Sequence, residues 1–240
     1  DRDVRTWLAV AATYPGIRLL PLELDDAVQS TNLPGSFHRD PADRFIVTAA
    51  RRLGAPFHAL LGGATPRPIP RSALVDGDSI DELLASARAA TSLGAVAVKL
   101  KIGRRPWAAD LDRAQALRAG IGPAVRLRLD ANRTFGPAEA AGRLEALADV
   151  SPEFVEEPAA FETLLGLSDV PVTVALDESL QGPDGPERLA ALAARGTVPI
   201  AVLKPTALGG LARSLSIARL AVELGSSAVA APCLEGSVAR

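Results

Sequence analysis

Six charged side chains recur at the ends of short apolar runs. Lys99 and Lys101 lie in Val96-Ala97-Val98-Lys99-Leu100-Lys101, Asp130 follows Leu129, Glu156 follows Val155, Asp177 follows Leu176, and Lys204 follows Val202-Leu203. Carboxylates gathered in one place repel one another, so a hard divalent cation is their natural counter-charge. All-oxygen ligation makes Mg²⁺ the first expectation and Mn²⁺ the second. A lysine can act as a base where nearby positive charge favours its neutral form. Lys99, two residues from Lys101, supplies one such charge. A metal beside a lysine base suits removal of a proton α to a carboxylate, with the metal stabilising the enediolate and the amine taking the proton. The expected partner is therefore a small-molecule carboxylate.

Such a site needs elements that deliver single residues to one mouth. Read as strands, the apolar runs alternate, so Ala97, Lys99 and Lys101 share one face and Val96, Val98 and Leu100 the other. Asp130 shares a face with Arg126 and Arg128, and Arg128 is expected to pair with a neighbouring acid as a structural contact. Helical stretches separate the strands. Ser79-Ile80-Asp81-Glu82 reads as a capping box, opening a helix whose apolar face is Ile80, Leu83, Leu84 and Ala87 and which Gly94 stops. Pro106 opens the next helix, Pro137 another to about Leu147, Pro186 one to Ala194, and Leu211 one to Leu224. Further strands are expected over Ile69–Val75, Glu153–Glu157, Val172–Leu176, Pro199–Leu203 and Ser227–Ala231. The charged residues from Lys101 to Lys204 recur at intervals of roughly 20 to 30, close to the ~30 per unit of a (β/α)₈ barrel, whose chemistry sits at the C-terminal strand ends. The expected class is α/β, a TIM-type (β/α) barrel. A doubly wound open sheet is the alternative, and it does not normally place site residues on five consecutive strands.

The totals narrow the partners. The 240 residues suit one large α/β domain plus a smaller piece, and 48% are hydrophobic, enough for a sizeable core. A net charge of −2 gives no electrostatic case for nucleic acid or an anionic membrane. The single cysteine, Cys233, excludes an internal disulfide framework and fits a reducing cytoplasm. No apolar run approaches the ~20 residues of a membrane span. There is no methionine, even at position 1, so the chain reads as trimmed or partial.

From about residue 57 to the end, the sequence resembles the barrel domain of the enolase superfamily, in the muconate-cycloisomerase-like group. The resemblance rests on Lys99-Leu100-Lys101, Asp130-Ala131-Asn132, Glu156-Glu157-Pro158, Asp177-Glu178-Ser179 and Lys204-Pro205. Within that group, Leu127 to Arg133, Leu203 to Gly210, and Cys233-Leu234-Glu235-Gly236-Ser237 are most similar to the o-succinylbenzoate synthases of menaquinone biosynthesis. The resemblance implies a carbon–oxygen lyase in which Asp130, Glu156 and Asp177 ligate Mg²⁺. Lys101 would remove the α-proton and help expel a hydroxyl, and Lys204 on the opposite face would stabilise the enediolate. Asn132 and Lys99 would be supporting residues, and Gly236 and Ser237 would offer backbone donors to a substrate carboxylate. A related racemase or epimerase acting on N-acylamino acids or dipeptides, with Lys101 and Lys204 as bases on opposite faces, is the alternative.

The two ends depart from that pattern. Residues 1–56 resemble the C-terminal half of PIN-domain toxin ribonucleases, through Pro15 to Pro21 and His38 to Val47, with Asp43 matching a metal-binding acid of that family. A metal-dependent ribonuclease module is thus a third reading, resting on Asp40 and Asp43 alone; simple capping of a helix start explains both. The junction is expected near Ala50–Pro56. The chain stops at Arg240, and seven strands are expected where a closed barrel has eight. An incomplete barrel of this kind, with its last helix and strand missing, would expose two sheet edges, have weak or no activity, and be marginal, aggregation-prone or completed by another chain, so a homo-oligomer is compatible with it.

Overall fold

The computed structural model describes residues 23–33, 41–54, 69–197 and 199–231. The chain divides into two compact units, Asp1–Arg67 with Leu234–Arg240, and Pro68–Cys233. In the smaller unit the described residues form helices α1 (Leu24–Thr31) and α2 (Pro41–Arg52). Glu23 and Asp26 form a capping box at the start of α1. The Arg52 guanidinium donates two hydrogen bonds to the buried Asp26 carboxylate, at 3.0 and 3.1 Å. The stretch from Pro15 to Pro21 and residue Asp40 lie outside the described residues, and Asp43 falls in α2 with its side chain outside them.

The larger unit carries seven strands among the described residues: β1 (Arg71–Val75), β2 (Ala95–Lys101), β3 (Arg126–Asp130), β4 (Phe154–Glu156), β5 (Val174–Leu176), β6 (Ile200–Leu203) and β7 (Ala228–Ala230). They lie side by side in sequence order, and every neighbouring pair is parallel. The crossovers are α3 (Ile80–Ser92), α4 (Trp107–Ile121), α5 (Ala140–Ala148), α6 (Phe161–Gly166), α7 (Gly185–Ala194), α8 (Pro205–Leu208) and α9 (Leu211–Glu223). A strictly sequential parallel sheet of this kind is the TIM-type arrangement, not the doubly wound one, in which strand order reverses. Among the described residues β1 and β7 are each paired on one side only, so the sheet is an open half-barrel.

Alternation along the strands sorts side chains between two layers. Val98, Leu100, Leu127, Leu129, Val155 and Leu176 belong to the main core, with Leu83 of α3, Leu117 of α4, Leu144 of α5, Leu189 of α7 and Ile217 of α9. Burying one such side chain contributes about 2 kcal/mol. A smaller cluster joins Phe154, Ala175 and Val202, with Ile200, Val229 and Ala231 packed against it. Those first three residues lie two positions before Glu156, Asp177 and Lys204, hence on the same face. They form an apolar floor beneath the charged row. Arg128, on that face, ion-pairs with Glu153 at 2.5 Å and lies over the Phe154 ring, 5.0 Å from its centroid, which is the structural role expected of it.

The caps follow the sequence signals. The Ser79 hydroxyl accepts from the Glu82 amide at 3.2 Å while Glu82 accepts from the Ser79 amide, completing the box at the start of α3. Ile80 is 42% exposed, because the first helical position precedes the turn that meets the sheet. The helix expected from Pro137 starts at Ala140 instead: the Gly136 carbonyl accepts from the amides of Glu139 and Ala140, so a turn comes first. The short α8 carries no periodic apolar pattern and was not expected.

Gly103, just past β2, shows how tightly the strand ends are held. Its φ is +89°, and an added Cβ would lie 1.9 Å from Thr134 Oγ1. Its amide donates to the buried Asp110 carboxylate at 2.5 Å. Gly103→Ala is expected to destabilise the fold by about 2 kcal/mol, from the left-handed backbone alone. At roughly 2–4 °C per kcal/mol for a chain of this size, calorimetry would show a melting temperature several degrees lower.

Candidate active site at the strand ends

Lys101, Asp130 and Glu156 are aligned across three strands, with Lys101 paired to Asp130 and Asp130 to Glu156. Their side chains, with that of Lys99, form one group. The Lys99 ammonium lies 2.7 Å from Glu156 Oε1 and 2.9 Å from Asp130 Oδ2. Lys101 Nζ is 3.8 Å from the same Asp130 oxygen and donates to Asn132 Oδ1 at 3.2 Å. On the next two strands, Lys204 ion-pairs with Asp177, and Gln181 donates to Asp177 Oδ1 at 3.5 Å. Asn132 links the two groups, donating through Nδ2 to Glu178 Oε1 at 3.3 Å.

Asp130 and Glu156 thus share the Lys99 ammonium, while Asp177 pairs with Lys204. Among the described residues no set of three His, Cys, Asp or Glu side chains is gathered closely enough to hold a metal ion. These ion pairs offset part of the hydration that the buried carboxylates have lost. Gly236 and Ser237 lie outside the described residues.

Burial and charge set the protonation. Burial, together with the charges of Asp130 and Asp177, pushes the Glu156 carboxyl up to about 7, against the pull of Lys99. The Glu178 carboxyl is raised by burial and by the neighbouring Asp177. Burial works against the Lys99 and Lys204 charges, but the paired carboxylates outweigh it and hold both amines above their ordinary value. More carboxylates than ammonium groups lie within reach, so one acid keeps its proton to about neutrality.

Behind the charged row, Glu157 has contacts that the sequence alone does not reveal. Glu157 is fully buried. It accepts from the Asp177 amide at 2.9 Å, the Ser179 amide at 2.7 Å, the Ser179 hydroxyl at 3.0 Å and the Arg133 guanidinium at 2.9 Å. Asn132, Arg133 and Glu157 all have positive φ, 43°, 63° and 41°. Three non-glycine residues in the left-handed region at adjacent strand ends are backbone strain concentrated around the charged row. Two adjacent acids closing an apolar strand were the available signal, since one of them has to leave the mouth.

A parallel strand–helix sheet with acids and amines at its C-terminal strand ends defines a TIM-type enzyme-fold domain. Residues 82–239 match the family model described as enolase C-terminal domain-like, and the chain belongs to that family. It is 31% identical over 195 residues to muconate cycloisomerase 1 of Acinetobacter baylyi, an alignment covering 79% of this chain and 52% of that protein. It is likewise 31% identical over 194 residues to the L-Ala-D/L-Glu epimerase of Clostridium acetobutylicum, covering 78% and 53%. The fold superimposes on a racemase from Streptomyces coelicolor A3(2) solved with bound magnesium, with a TM-score of 0.61, 23% identity and coverage of 71% and 49%. The chain spans about half the length of the curated relatives it matches.

Proposed function

We propose that the strand-end site removes and returns a proton α to a carboxylate, as an epimerase of dipeptides or N-acylamino acids does. The observation that carries this is the placement of amines at the ends of β2 and β6, with the acids of β3, β4 and β5 between them. In an eight-stranded barrel, strands four positions apart face each other across the axis. Inverting a carbon centre needs one group to take the proton from one face and another to deliver a proton to the opposite face. Lys101, partly exposed and steadied by Asn132, takes the proton. Lys204, kept charged beside Asp177, delivers it. Lys99 balances the charge of Asp130 and Glu156.

The donor set suits a divalent ion. It is all oxygen, two of the three acids already converge on one cation, the Lys99 ammonium, and Glu178 Oε2 is a buried acceptor without a hydrogen-bond partner next to Asp177. Asp130, Glu156 and Asp177 would hold Mg²⁺ or Mn²⁺, which would supply positive charge to stabilise an enediolate.

Dehydration of the o-succinylbenzoate synthase type is the second reading. It is favoured by the runs Leu127–Arg133 and Leu203–Gly210, while the cycloisomerase and epimerase relatives favour proton transfer without loss of a group. Proton NMR of L-Ala-L-Glu and L-Ala-D-Glu in D₂O with Mg²⁺ separates them. The expected result is α-deuterium exchange with both epimers, and Lys204→Ala abolishing it for one while sparing the other. A chain that binds Mg²⁺ yet exchanges neither epimer overturns the epimerase reading.

A further inference from the structure

Glu156 and Glu157 are consecutive, and their carboxylates go to different places. Glu156 turns into the charged row, where it meets Lys99. Glu157, at φ 41°, turns along the sheet instead and is buried beneath the loop after β5. There one of its oxygens takes the backbone amides of both Asp177 and Ser179, and the other takes the Ser179 hydroxyl and the Arg133 guanidinium. Arg133 also donates to the Ser179 hydroxyl at 3.0 Å. Backbone bonds run parallel to these contacts: the Arg133 amide donates to the Glu157 carbonyl at 2.6 Å, and the Glu157 amide to the Ala175 carbonyl at 2.9 Å. A single buried side chain thus ties the turns after β3, β4 and β5, the three that carry Asp130, Glu156 and Asp177.

We propose that Glu157 is a positioning residue that sets the separation of Glu156 and Asp177, and with it the strand-end site's grip on a divalent cation. The inference rests on the ion-binding reading above. A carboxylate is suited to this work because it accepts several bonds at once, and charge-assisted bonds are about twice as strong as neutral ones. Arg133 balances the charge, so the burial is sustained. The Asp177 main chain is fixed at the mouth by its amide bond to Glu157, and the strained backbone at Asn132, Arg133 and Glu157 is held in place by the same contacts.

The test is Mn²⁺ affinity of the full chain by electron paramagnetic resonance, with circular dichroism to verify folding. Removing a partner that orients metal ligands typically costs 10–100-fold in affinity. Glu157→Gln is expected to weaken Mn²⁺ by about that factor and to alter the spectrum of the bound ion, changes that a loss of stability alone would not produce. Ser179→Ala and Arg133→Gln each remove one donor to Glu157 and are expected to weaken the ion in the same direction by less. They carry the test if Glu157→Gln does not fold. Glu157→Gln, or both single-donor variants, with wild-type affinity and spectrum would overturn the role of Glu157. Wild-type chain that binds no Mn²⁺, or binds it undiminished in Asp130→Asn, would overturn the ion-binding reading and this inference with it.

Discussion

Lys101→Ala is expected to lower α-deuterium exchange of one dipeptide epimer by 10²–10⁴-fold, the usual contribution of a positioned general base. The opposite epimer, whose proton faces Lys204, should keep exchanging. The effect should fall on turnover and not on folding, because Lys101 is the most exposed of the three lysines and its removal leaves only Asn132 Oδ1 without a donor. Asn132 retains its contact to Glu178, so the backbone at the end of β3 has no reason to move. Equal losses for both epimers would mean that the two amines do not act on separate faces.

The second large effect concerns pH. The Glu156 carboxyl titrates at about 7, above the ordinary value of 4.5, because burial and the neighbouring acids outweigh Lys99. An ion that takes this oxygen must displace the proton, so affinity falls with pH below the folded-state value. Between pH 8 and pH 6, Mn²⁺ affinity is expected to drop about tenfold, with proton release approaching one per ion at the acid end. Stability runs the other way from the usual carboxylate. The folded state holds this proton more tightly than the unfolded chain, so the stability that Glu156 contributes to the ion-free protein is fully present below about pH 4.5. The protein loses that increment as pH rises to about 7 and is level beyond it. Affinity unchanged between pH 6 and 8 would show that Glu156 does not take part.

The fold was largely legible because its signals are local. The Ser79–Glu82 box, the Gly94 stop after α3 and the two-residue alternation of β2 and β3 each need only a few neighbouring residues, and the recurrence of strand-end charges fixed the barrel class. The charged row was legible for the same reason. What sequence could not supply was the division of labour within it. Whether Lys99 or Lys101 takes Asp130 depends on side-chain reach across strands, and the pairing of Lys204 with Asp177 depends on the turn after β5. Glu157 was hidden because strand alternation directs it away from the mouth, toward the helices. Its positive φ, invisible in the residue type, sends the carboxylate sideways under the next loop. Ile80 failed as an apolar-face residue for a simpler reason: helical spacing says which side a residue is on, not where the covering layer ends.

The neighbouring acids at the end of β4 have a consequence for how this surface could change by insertion or deletion. A one-residue slip of that strand that brought Glu157 into the place of Glu156 at the cleft would put Pro158 where the clamp sits and turn Glu156 into the core position of Val155. Both residues are glutamate, so composition would be unaltered and the fault would be purely one of phase. Frame along β4, more than the identity of either acid, is what a working copy of this domain has to preserve.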